Sequence, residues 1–146
     1  MKRLGLLLVC FATLALTSCD ALSSASSSNS VAKAAGQTCG SAVQGLFRTY
    51  RNTGTIDLTN GTNINNALAL ATAYTNLKNN RGDNNYRKAF TSGLIASSAG
   101  LITSSNAEAF VDRLLASSGL SNLNTQNISQ SVSTAAAIVN LVQMFN

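Results

Sequence analysis

Few groups in this chain are able to do chemistry, because the sequence has no histidine and five acidic residues. Without histidine, a Ser-His-acid triad, a histidine metal site and histidine acid–base catalysis are excluded. Asp20 lies in a serine-rich stretch, whereas Asp57, Asp83 and Asp112 stand on separate predicted elements. Folding would have to bring two carboxylates together to form a hydrolytic pair. We therefore expect a protein that is not an enzyme and needs no cofactor.

Glu108 and Asp112 are four residues apart, so a helix would place both carboxylates on one face. A weak cation contact is conceivable there, but surface charge near a favourable helix N-terminus is the preferred explanation. Ser105 and Glu108 also fit a capping box, in which each side chain accepts a hydrogen bond from an early backbone amide. We predict no metal site.

Cys39 is a candidate reactive thiol. It stands between Ala35 and Val43 in an apolar row at helical spacing, where cysteine packs as a small hydrophobe. The sequence shows no histidine or close cationic residue that would lower its pKa. We predict a buried, unreactive thiol, with a reactive cysteine as the alternative.

The basic residues Lys78, Arg81, Arg87 and Lys88 form a cluster in the sequence, and Asp83 lowers its net positive charge. Each cation near an anionic lipid surface contributes about 1 kcal/mol, so the cluster is a candidate contact for phospholipid or lipopolysaccharide headgroups. The alternative, which charge patterning favours, is a solvated face that keeps an alanine-rich bundle soluble. The positive charge is too sparse for a nucleic-acid surface.

The first twenty residues, MKRLGLLLVCFATLALTSCD, have the parts of an export signal. Lys2 and Arg3 form its positive part. Residues 4–16 are apolar and would span roughly 20 Å as a helix, which is short of the ~30 Å hydrocarbon thickness. The sequence Leu16-Thr17-Ser18-Cys19 that follows resembles the lipobox of bacterial lipoproteins.

The resemblance implies cleavage before Cys19 and attachment of a diacylglyceryl group to its thiol. The mature protein would then be anchored to the inner or outer membrane facing the periplasm, or at the cell surface. An ordinary secretory signal, in which Cys19 is incidental, is the alternative. Loss of residues 1–18 lowers the net charge from +5 to about +3 and removes Cys10. Cys39 then has no intramolecular disulfide partner.

Residues 19–30 are mostly small and polar, and they predict a flexible tether between the lipid and a single domain at 31–146. In that domain apolar residues recur at helical spacing, and no proline interrupts them. We predict an all-α fold, a compact bundle of about five helices. These are expected at residues 30–51 and 63–79, from Tyr86 to near Gly100, from Ser105 to Gly119, and at residues 125–145.

Two local features carry further predictions. Gly36 and Gly40 have GxxxG spacing on the first helix, which favours a close helix crossing inside the bundle, with self-association as the alternative. The connection at residues 53–63 contains the turn Asn60-Gly61. We predict a loop there, because both flanks look helical, although Thr55 to Leu58 briefly alternates like a hairpin strand.

Together these patterns indicate a non-enzymatic structural or protein-interaction module of the cell envelope, with an unidentified envelope protein as partner. A carrier of a small apolar ligand or lipid in an interhelical pocket is the alternative. An enzyme with an unrecognised site ranks third.

Overall fold

The computed structural model describes residues 24–121, 123 and 132–146, with side chains from residue 28 onward. This part of the chain is a compact all-α bundle of five helices without a strand, which confirms the predicted fold class. Short 3-10 turns at Ser118–Leu120 and Gln143–Phe145 follow the fourth and fifth helices. The helices are α1 (Ser24–Thr53), α2 (Gly61–Asn79), α3 (Asn84–Ser97), α4 (Ala107–Ala116) and α5 (Val132–Val142).

Helix α1 begins six residues earlier than predicted, so residues 24–30 of the expected flexible tether are helical. An existing helix extends by one hydrogen bond per added residue without a new nucleation step, and small polar residues do not prevent this extension. Ala32 is fully buried in the bundle, whereas Asn29, Ser30 and Val31 before it are exposed.

The closest helix contact is the crossing of α1 and α3. A Cβ added at Gly36 would overlap the Phe90 carbonyl, and one added at Gly93 would overlap the Lys33 carbonyl. Farther along, a Cβ at Gly40 would come within 2.6 Å of the Leu94 carbonyl oxygen. Positions 36 and 40 therefore both need glycine, as the GxxxG spacing predicted. Residues farther along α1 contact residues farther along α3, so the two helices run parallel.

Helix α2 runs antiparallel to α1. The Thr49 hydroxyl donates to the Asn63 side-chain oxygen at 3.2 Å, and one helical turn earlier on α1, Gly45 faces Asn66. The loop between the two helices forms no strand, as predicted. Its residues Ile56 and Leu58 are buried against the core.

Polar side chains begin α2 and α3. The Asn60 side chain accepts hydrogen bonds from the first-turn amides of α2. The Asp83 carboxylate accepts from the amides of Asn85 and Tyr86 at 2.9 and 3.1 Å. Such caps satisfy amides that have no carbonyl partner within the helix.

The predicted capping box of α4 is wrong. Asn106, not Ser105, precedes the helix, and its side chain bonds the backbone of Leu101 and Thr103. The Ser105 hydroxyl pairs with that of Thr103 at 2.8 Å. These local side chain–backbone bonds compete with the capping geometry that the motif suggested.

Gly119 was predicted to mark the end of α4, but the helix ends at Ala116. Gly119 lies within a 3-10 turn and has no positive φ. A Cβ there would come within 2.6 Å of the Ser133 carbonyl oxygen, so glycine allows close approach to α5. Gly54, in contrast, follows α1 with φ 72°, the left-handed conformation in which glycine commonly ends a helix.

The core lies between α1 and the helices around it and contains Cys39, Phe90 and Phe110, each with no exposed surface. Val31 and Val132 stand at apolar positions with helical spacing, but they are 60% and 83% exposed. Val132 is the first residue of α5, whereas Val31 lies within α1 next to the fully buried Ala32. The buried face of α5 consists of Thr134, Ile138, Leu141 and Val142. The predicted first part of this helix, including Ile128, lies outside the described residues.

Candidate functional site

The predicted lipid attachment residue, Cys19, lies outside the described residues, and the first described residue is Ser24. The chain therefore enters the bundle through the start of α1. We call this end of the bundle, where α1 begins, the anchor end. No described helix is long and apolar enough to cross a bilayer.

Three of the four predicted headgroup-contact residues are exposed around the turn between α2 and α3. Lys78 is in the last turn of α2, Arg81 is in the connecting turn, and Lys88 is near the start of α3. The Lys78 ammonium lies 5.5 Å from the centre of the Tyr74 ring, which is a cation–π distance. None of the three forms an ion pair within the described part of the chain.

The fourth residue, Arg87, differs because two carboxylates bind its guanidinium. One terminal nitrogen lies 2.6 Å from Glu108 and 2.7 Å from Asp112, and Nε donates to Glu108 at 2.9 Å. Hydrogen bonds to Asp112 and then to Glu108 raise the pKa of Arg87. The fold therefore connects α3 to α4 through Arg87 and leaves it the least available of the four cations.

The acidic pair Glu108 and Asp112 thus does hold a cation, but the cation is a side chain of the protein. The i, i+4 spacing indicated that both carboxylates share a face. It did not reveal Arg87, which comes from another helix. Within the described residues, no group of three metal-binding side chains comes together.

The other two described carboxylates also support the local fold. Asp57 accepts hydrogen bonds from the hydroxyl and amide of Thr59, at 2.7 and 2.8 Å, and these bonds lower the pKa of Asp57. Asp83 caps α3. All four acidic side chains of the described chain are thus engaged in turns, a cap or an interhelical ion pair.

Cys39 is fully buried in the core, as predicted. Burial in an apolar environment strongly raises the pKa of its thiol, because the thiolate would lose its solvation. The nucleophilic form is therefore disfavoured at neutral pH.

A groove of about 850 Å³ opens between α5 and the end of α4. Its lining is mainly small and polar, with Ser117, Ser121 and Asn140 beside alanines and Arg113. A smaller groove of about 320 Å³ lies at the opposite end of the bundle from the anchor end, beside Arg48 and Arg51. Both grooves are open to solvent.

One residue that sequence reasoning missed is Lys33. It is exposed on α1 near the anchor end, although it lies 45 residues before Lys78 in the chain. Lys33 and the predicted cluster share no sequence motif. The pairing of the helices is what places these cations at the same end of the bundle.

No protein-family model, curated protein or solved structure matches this chain.

Proposed function

We propose that the protein is a lipid-anchored lipoprotein of the bacterial envelope, held at a membrane through Cys19. The sequence Leu16-Thr17-Ser18-Cys19, placed after a basic and then an apolar segment, supports this anchor. Helix α1 begins only five residues after Cys19, so lipid attachment would keep the start of this helix close to the bilayer.

We further propose that the domain is a non-enzymatic structural or protein-interaction module. The observation that carries this proposal is that the four described carboxylates and the thiol of Cys39 all serve folding. Groups tuned for catalysis are more often held in a cleft with access to substrate. The groove between α5 and the end of α4 is open and mainly polar, so it supplies no specific support for an apolar carrier.

The anchor is tested by intact mass measurement of the protein purified from a bacterial membrane. We expect a mature chain that begins at Cys19 and carries diacylglycerol, and we expect Cys19→Ala to lose that mass. Cys39→Ala is the matched control and should remain lipidated. A mature chain without lipid, or one cleaved elsewhere, would contradict the anchor.

The interaction role is tested by cross-linking the lipidated protein in its native envelope. A discrete envelope protein should be recovered in a stable ratio, and substitution of exposed residues on one helix face should abolish its recovery without lowering thermal stability. Recovery of co-purified lipid in a stoichiometric amount would instead favour the carrier.

A further inference from the structure

Four exposed cations from separate parts of the chain lie at similar positions along the bundle axis, toward the anchor end. We call Lys33, Lys78, Arg81 and Lys88 the basic cap. All four side chains are exposed, and none is ion-paired within the described structure. Arg87 is not included, because Glu108 and Asp112 bind it.

The parallel pairing of α1 and α3 determines where Lys88 lies along the bundle axis. Gly93 packs against the backbone of Lys33 and Gln37, so these residues are level along the bundle. Lys88 precedes Gly93 by five residues, which places it roughly 8 Å closer to the anchor end at the α-helical rise.

The antiparallel pairing of α1 and α2 determines where Lys78 lies along the bundle axis. Asn66 lies beside Gly45, and Lys78 follows Asn66 by twelve residues, or roughly 18 Å toward the anchor end. The same displacement along α1 leads from Gly45 to Lys33, so the two lysines are level. Arg81 lies in the turn just beyond Lys78.

The surroundings of the basic cap also suit a membrane surface. Asp83 is the acid in the same turn, and its carboxylate is occupied by two backbone amides. Val31 is 60% exposed at the same end, an apolar side chain among cations. Cationic and apolar side chains together are typical of surfaces that contact anionic lipid headgroups.

We propose that the basic cap binds anionic phospholipid headgroups of the membrane that carries the Cys19 lipid, and so fixes the orientation of the bundle. This inference rests on the proposed lipid anchor. Lys33 is roughly 14 Å along α1 from Ser24, whereas Arg51 is roughly 40 Å away. Surface potential decays over about 8 Å at physiological salt, so cations at the anchor end respond to the membrane far more than cations at the opposite end.

Orientation is measured on lipidated protein in vesicles with fluorescent probes at Asn85→Cys, near the anchor end, or Asn52→Cys, at the opposite end. A nitroxide on the lipid headgroup quenches a nearby probe. In vesicles that contain phosphatidylglycerol, we expect the Asn85 probe to be quenched several-fold more than the Asn52 probe. The difference should shrink in pure phosphatidylcholine and at high salt.

The decisive variant combines Lys78→Gln, Arg81→Gln and Lys88→Gln, and should reduce the difference in quenching to about the level seen in pure phosphatidylcholine. Each cation is expected to contribute roughly fivefold to partitioning. The matched control, Arg48→Gln, Arg51→Gln and Arg113→Gln, loses the same charge outside the basic cap and should keep the difference. If the triple variant fails to fold, Arg81→Gln alone, in an exposed turn, should reduce the difference.

Unchanged quenching in the folded triple variant, or equal asymmetry in pure phosphatidylcholine, would overturn the orientation proposal. Cross-links from a photoreactive residue at Arg81 to protein instead of lipid would also overturn it. Failure of the anchor is distinguishable, because the protein would then not float with phosphatidylcholine vesicles.

Discussion

Cys39 and Arg87 are both chemically capable residues whose surroundings decide what they do. Cys39 faces the core and has no exposed surface. Arg87 is 29% exposed and is bound by two carboxylates of α4. In each case a neighbour from another helix determines the role of the side chain.

The buried thiol predicts a pH dependence of stability. Burial raises the pKa of Cys39 above its unfolded value, so its contribution to stability is fully present below about pH 8.5 and is lost as the pH rises further. Urea unfolding from neutral pH to about pH 10 should show this loss, and Cys39→Ala should weaken it. Native thiol labelling should be slow and become fast in denaturant. Rapid labelling of the folded protein would contradict burial.

The Arg87 ion pairs predict a modest, salt-dependent stabilisation. Glu108 and Asp112 are 61% and 67% exposed, so solvent screens the interaction. We expect Arg87→Gln to lower the free energy of unfolding by about 1 kcal/mol at low salt and by less at high salt. Arg113→Gln on α4 is the control and should change it by under about 0.5 kcal/mol. Equal effects of the two substitutions would argue against the bridge.

At the scale of elements, the α1–α3 crossing organises the bundle. Gly36, Gly40 and Gly93 let the two backbones approach, and the Ser97 hydroxyl donates to the Gln37 carbonyl at 2.7 Å across the crossing. The weak helix propensity of glycine is offset here by tertiary contact. The same parallel pairing brings the start of α3 to the anchor end.

At the α1–α3 crossing, replacing glycine by alanine should destabilise the protein, although alanine has the higher helix propensity. Gly93→Ala should destabilise the protein by about 1–3 kcal/mol, because the new Cβ overlaps the Lys33 carbonyl and the helices must separate. Gly61→Ala is the matched control, since no atom lies within 4 Å of its added Cβ. Chemical unfolding should separate the two variants. A stabilising Gly93→Ala would show that the crossing is looser than described.

At the scale of the molecule, aromatic contacts connect the C-terminal turn to the rest of the core. The Phe145 ring lies 6.0 Å from those of Phe47 and Phe110, edge-on to the first and stacked on the second. These contacts link α1, α4 and the turn after α5 in one core.

The shared core predicts a large global effect of a single truncation. Phe110 is fully buried, so Phe110→Ala should lower the free energy of unfolding by about 3–5 kcal/mol through lost burial and a cavity. Leu115→Ala, at a partly buried position of α4, should cost less. A loss below about 0.5 kcal/mol for Phe110→Ala in urea unfolding would contradict this core.

Much of this architecture was predictable, because helical periodicity and the absence of proline act locally. The spacing of Tyr86, Phe90 and Leu94 identified the buried face of α3. Local motifs were less reliable where two neighbouring residues could each precede a helix, as Ser105 and Asn106 could at the start of α4. The candidate surface was only partly predictable, because Lys33 and the partners of Arg87 are distant in sequence.

The sequence by itself determined the helical class, the glycine pair on α1, the cysteine in an apolar row and the expectation of a lipid at Cys19. These follow from residue type and short-range spacing. Only the tertiary structure decided that α1 and α3 are parallel, that Arg87 forms ion pairs with Glu108 and Asp112, and that Lys33 joins Lys78, Arg81 and Lys88. The reason is physical: spacing defines which face of a helix is apolar, whereas helix direction and register are set by which faces pack together.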